Sequence, residues 1–143
     1  MSEYITNEAL MQKPDGWIDG STNIAQFPGS EHLIRFVIVR GMVVGRTLEQ
    51  YVDAQTKELA KRMPFFEVTQ TEERTAAGQR GIFVKCVSRE PAGEMATYRF
   101  AFRLGDQFMQ LMLMAKATGD KEAAGVFDRA LATMKLRDPA AAT

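Results

Sequence analysis

Two spacings of apolar residues alternate along this chain, and each change of spacing marks a change of element. Leu33 to Arg40 is rich in β-branched and aromatic residues and predicts a strand, and residues 5–11 and Ser21 to Phe27 predict two shorter strands before it. Pro14-Asp15-Gly16 and Pro28-Gly29 supply the turns, because Pro fixes one torsion and Gly accepts a positive one. After Gly41 and Gly45 the period becomes 3.6 residues. Leu48, Tyr51, Val52, Leu59 and Met63 then share one helical face, and Glu49, Asp53, Lys57, Glu58, Lys61 and Arg62 the other. Thr47 with Gln50 three residues on forms a capping box, in which each side chain satisfies a backbone N–H of the first turn, and Pro64 ends the helix. From Phe65 strand character returns over about 65–74, 80–89, 95–104 and 107–116, with Ala77-Gly78, Pro91-Ala92-Gly93 and Gly105-Asp106 between. Such tight spacing predicts an antiparallel meander. A second helix is expected from Asp120 to Leu136 on the stripe Ala123, Val126, Phe127, Ala130, Leu131 and Met134, before a frayed tail, 138–143.

This order predicts an α+β fold: a single domain over 1–143, with its core at about 4–136, built on a curved antiparallel sheet of about 6–7 strands with two main helices. Phe108-Met109-Gln110-Leu111-Met112-Leu113-Met114 is apolar on both strand parities, so a sheet that holds it must be covered on both faces. Met is unbranched and polarizable, and suits core gaps as well as surfaces that accept a partner. The same two-sided supply recurs at Leu33 to Val39. If both helical stripes cover one sheet face, apolar surface is left over on the other.

At 143 residues the chain is large enough for a core without staples. Its 18 basic residues balance 18 acidic ones, so no net field favours nucleic acid or an anionic membrane. Cys86 is the only cysteine, which excludes an intrachain disulfide and reads as a small buried strand residue. Met1 to Glu8 carries neither the basic cluster nor the apolar run of a secretory signal, and no stretch approaches the roughly 20 apolar residues of a membrane span. A cytoplasmic location, not embedded in a membrane, is expected.

Catalytic constellations find no support. His32, the only histidine, lies beside Glu31 in a loop, with no G-x-S-x-G to suggest a triad and no second histidine for a metal site. Glu72-Glu73 and Asp53 with Glu58 read as solvated faces. Gly41-Met42-Val43-Val44-Gly45-Arg46 lacks the Lys-Ser/Thr ending of a phosphate cradle and reads as a strand-to-helix turn. Trp17 reads as a ring fixing a loop to the sheet edge. No enzyme activity, cofactor or metal is expected.

Pro14-Asp15-Gly16-Trp17, Ser21-Thr22-Asn23-Ile24, Phe36-Val37-Ile38-Val39-Arg40 and Leu48-Glu49-Gln50-Tyr51-Val52 resemble, in order and spacing, the landmarks of the Eag chaperones, the effector-associated adaptors of bacterial type VI secretion in the DcrB-related group. The resemblance spans about 4–136 and implies a PsbP-like α/β domain. It implies a cytosolic homodimer whose apolar groove holds the N-terminal transmembrane helices of an effector carrying a PAAR domain until that effector is loaded on the secretion spike. Ile24 and Val37 match the groove pattern. Thr22 stands where an aliphatic residue is common, and Phe100 where a polar one can mark contact with the client. Strand parity extends the groove to Val39, Gln110 and Met112, and Gln110 could meet a polar position of a client helix. Two other readings are a carrier or enzyme for a small apolar ligand, which calls for buried titratable groups near Met112, and an interaction domain for a soluble partner. The sequence does not supply such groups there.

Overall fold

A computed structural model describes residues 2–5, 9–13, 18–19, 24–26, 33–91 and 93–136, with side chains described at 35–91 and 93–135. Pro14 to Trp17, Thr22, His32 and the tail 138–143 lie outside the described residues.

The predicted strand at 5–11 corresponds in part to β1 (Ser2–Ile5) and β2 (Ala9–Lys13), and the one at 21–27 to β4 (Ile24–Gln26), while β3 (Ile18–Asp19) falls outside the predicted strands. Then follow β5 (Leu33–Met42), α1 (Leu48–Arg62), β6 (Glu67–Ala76), β7 (Gln79–Glu90), β8 (Gly93–Leu104), β9 (Gln107–Lys116), α2 (Asp120–Thr133) and β10 (Lys135–Leu136). The main sheet has seven strands in the order β3-β4-β5-β9-β8-β7-β6, five of them long, and every described pairing is antiparallel. The meander β6 to β9 forms as its turn signals predict. The second helix stops three residues earlier than expected, because Lys135 and Leu136 extend to pair with β2 in a small sheet, β1-β2-β10.

Both faces of β9 are buried from Phe108 to Leu113, as its two-sided apolarity requires. The two faces are nevertheless closed differently from the sequence expectation, with one helix on each. Phe36, Ile38, Phe83, Tyr98, Phe100, Phe102, Met109, Leu111 and Leu113 share one side and pack with Ala123, Phe127, Ala130 and Leu131 of α2. Val84, Cys86, Ala101 and Phe108 share the other and pack with Tyr51 and Val52 of α1. Alternation along the strands enforces this split, since neighbours in sequence point to opposite faces. At the start of α2, Asp120 is bonded to Tyr98 Oη, and Lys85 Nζ lies 2.8 Å from Asp120 Oδ1, which fastens that helix end to the sheet.

Candidate functional site

The α1 side of the sheet is the face with binding potential. Its cross-strand row runs Ile24, Val37, Met112, Arg99, Val84 and Thr71, and the next row Val39, Gln110, Ala101, Ile82 and Glu73. Helix α1 packs over β7 and β8, in the half of these rows nearer β6. Its seating is set by Tyr51, whose ring stacks on Phe108 at 4.6 Å between centroids. Arg46 clamps the loop before α1: its guanidinium donates to Met42 O and lies 5.4 Å from the Tyr51 ring centre. On the β5 and β9 side, Val37, Val39 and Met114 are only half-buried. Gln110 and Met112 form the floor between them, 1% and 8% exposed.

A polar chain crosses beneath α1. The Arg99 Nε–H donates to Gln110 Oε1 at 2.9 Å and its Nη1–H to Thr56 Oγ1 at 2.7 Å. Thr56 in turn donates to Val52 O at 2.8 Å, and Gln110 Nε2 to Met112 Sδ at 3.6 Å. Arg99 is 1% exposed, and its Nη2 has no hydrogen-bond partner; the buried Tyr51 hydroxyl has none either. Desolvation pulls the Arg99 pKa below its ordinary value, with Cys86 and Tyr51 opposing. Burial pushes the Cys86 thiol and the Tyr51 hydroxyl up, against the lowering influence of Arg99 on each. All these neighbours are neutral when protonated, so the guanidinium is enclosed without a carboxylate. That arrangement is costly, because a buried ion without an opposite charge loses its hydration and regains only hydrogen bonds.

Residues 8–133 match the family model for DcrB. The chain belongs to the DcrB family. No curated protein matches it. Among solved structures, a Pseudomonas aeruginosa protein of unknown function, PA94, described as a putative regulator, is 20% identical over 96% of this chain and 98% of its own, with a TM-score of 0.69. The PsbP protein of the cyanobacterium Synechocystis is 11% identical over 95% of this chain and 92% of its own, with a TM-score of 0.71. LpqN of Mycobacterium tuberculosis, involved in cell envelope biogenesis, is 11% identical over 91% and 83%, with a TM-score of 0.70. At such identities the likeness establishes the fold, which is PsbP-like.

In this DcrB-family chain the residues singled out from the sequence separate into three groups. Ile24, Val37, Val39, Gln110 and Met112 are brought together on the α1 side of β4, β5 and β9. Phe100 is not among them. It stands in register with Leu111 and Phe83, on the opposite face, and is wholly buried in the cluster under α2. It contributes core rather than groove, because one residue of parity separates it from Arg99. Thr22 lies outside the described residues.

Arg99 is the residue sequence reasoning missed. Met95 to Phe102 is buried without a break, and a single guanidinium inside that run was a legible signal. The expectation that no titratable group lies near Met112 is thereby corrected, since Arg99 is its cross-strand partner. The carboxylates noted in the sequence are engaged at the surface: Glu72 with Arg74, Glu73 with Arg80, Asp53 with Lys57 and Glu58 with Lys61. Among the described residues no group of three or more His, Cys, Asp or Glu side chains could hold a metal ion, and no helix is long and apolar enough to cross a membrane.

Proposed function

We infer that this protein is a binding module, not an enzyme, and that it holds an apolar helix of a partner protein against the α1 side of its sheet. The observation that carries the reading is the one-sided seat of α1. The helix lies over β7 and β8, while half-buried Val37, Val39 and Met114 flank the floor of Gln110 and Met112 on the β5 and β9 side. Resemblance to the Eag chaperones makes the partner the N-terminal transmembrane region of a PAAR-bearing type VI effector, held in the cytosol by a homodimer and delivered to the spike through the effector. An isolated transmembrane helix in water exposes apolar surface that drives aggregation, and a complementary apolar face removes it from solvent. Covering about 1,000 Å² would contribute on the order of 25 kcal/mol before ordering costs, ample for tight holding.

The test is co-expression with a candidate client encoded beside this gene, one whose N-terminal region contains paired hydrophobic stretches. Val37→Gln with Val39→Gln should leave the circular dichroism spectrum intact and abolish co-purification. A client equally soluble without this chain, or equally recovered with the double variant, would refute the reading.

A carrier for a small apolar acid is a second reading with one specific observation behind it, the buried Arg99 across from Met112. Two clefts formed by described residues lie away from Arg99, one at Phe65, Ser88, Arg89 and Glu94 and another at Arg74, Asp128 and Leu131, and neither is lined by it.

A further inference from the structure

We propose that the helix bound on this face carries an acidic side chain within its apolar stretch, and that Arg99 is the group that recognises it. The inference rests on the binding-module reading and adds to it the chemistry of the partner.

Three observations converge. Arg99 spans the boundary between the covered and the open half of the face: Nη1 reaches Thr56 on α1, while Nε reaches Gln110 on β9. Its Nη2 is buried and unpartnered, so one strong donor is left over in a low-dielectric setting where such a group is costly. By register, the α1-side positions of β5, β8 and β9 hold Arg35, Arg99, Arg103 and Lys116 and no carboxylate. Glu73, also on this side, lies on the far edge strand β6 and is paired with Arg80, so the charges on the open β5, β8 and β9 portion are of one sign, which is complementary to an occupant of the other sign.

For a neutral apolar helix, Arg99 would be an expensive feature with no return. Replacing a buried unpaired ion by an apolar residue of similar volume is commonly neutral or stabilising, so folding alone gives no reason for a guanidinium here. A carboxylate on the bound helix changes that balance. It accepts from the unused Nη2–H in a charge-assisted bond, and each ion removes the desolvation cost of the other. An acidic residue in the middle of an apolar helix has the same need, since it too must find a partner out of water. Met112, cross-strand from Arg99 and bonded only through its sulfur to Gln110, is the flexible side chain that such a ligand would displace.

The probe is a set of fluorescently labelled 21-residue Leu/Ala helices that differ at one central position, Asp, Asn or Lys. They are presented to the full chain from dilute mild detergent and followed by anisotropy. The Asp helix should bind about tenfold or more tighter than the Asn helix, with the Lys helix weakest. The preference should vanish in Arg99→Met, which keeps the apolar volume, and should fade as pH falls below about 4, where the helix carboxyl takes up its proton. The comparison among the three helices on the unaltered protein stands whether or not Arg99→Met folds. Equal binding of Asp and Asn helices, or a preference untouched in Arg99→Met, overturns the role of Arg99 and leaves the binding module in place. Binding of none of the helices overturns both. Arg99-dependent binding of oleate with no helix bound replaces both by the small-acid carrier.

Discussion

Gly41 lies where the Tyr51 ring passes closest to β5, and a Cβ there would stand 2.6 Å from Tyr51 Cε1. The ring has little freedom to yield, because its other side is stacked on Phe108. A glycine that resembles half of a phosphate loop in the sequence is in fact the clearance that lets α1 dock. Gly41→Ala should destabilise the fold by about 1–3 kcal/mol, the usual range for overpacking, read as a lower urea midpoint with unchanged slope. An unchanged midpoint would show that α1 can shift without cost. Arg99 is the complementary case at this scale: it fits its surroundings sterically, with two of its three nitrogens bonded, and its expense is electrostatic.

Among the elements, α1 is the one whose local sequence carries most of its own definition. The Gln50 N–H donates to Thr47 Oγ1 at 3.1 Å and the Thr47 N–H to Gln50 Oε1 at 2.8 Å, as the capping-box spacing predicts. Only Tyr51 and Val52 of this helix are buried, so the cap supplies a larger share of its stability than it would in a deeply packed helix. Thr47→Ala should therefore cost about 1 kcal/mol, measured by thermal or urea unfolding, and a loss below a few tenths would mean that tertiary contacts alone hold the helix. Helix α2 contrasts with it. No side chain caps its start, yet five residues from Ala123 to Met134 are buried, and its position is set by the sheet and by the Asp120 bonds. Edge strand β6 exposes all but its last residues and carries Glu67, Glu72, Glu73 and Arg74, charges that discourage pairing with another sheet.

For the whole molecule, the dimer proposed here predicts a mass by light scattering of about twice 16.0 kDa at micromolar concentration, and a clean monomer would remove the two-helix form of the chaperone reading. Much of the architecture was legible in the chain, because the signals involved are local. Turn residues at 77–78 and 105–106 set the hairpins, Thr47 and Gln50 set a helix start, and the two-sided apolarity of Phe108 to Met114 required a strand covered on both faces. Pairing of Lys135 and Leu136 with β2 was not legible, since two residues of strand gain meaning only from a distant partner. Nor was the choice of one helix for each face, which depends on how the chain crosses the sheet after β5 and β9 rather than on either helix's own stripe. The sequence by itself determined which residues are apolar and with what period, and therefore the elements and their number of buried sides. Only the tertiary structure decided that Phe100 is core while its neighbour Arg99 lies beneath α1 without a counter-ion, because adjacent strand residues face opposite ways and register, a long-range property, assigns each its surroundings.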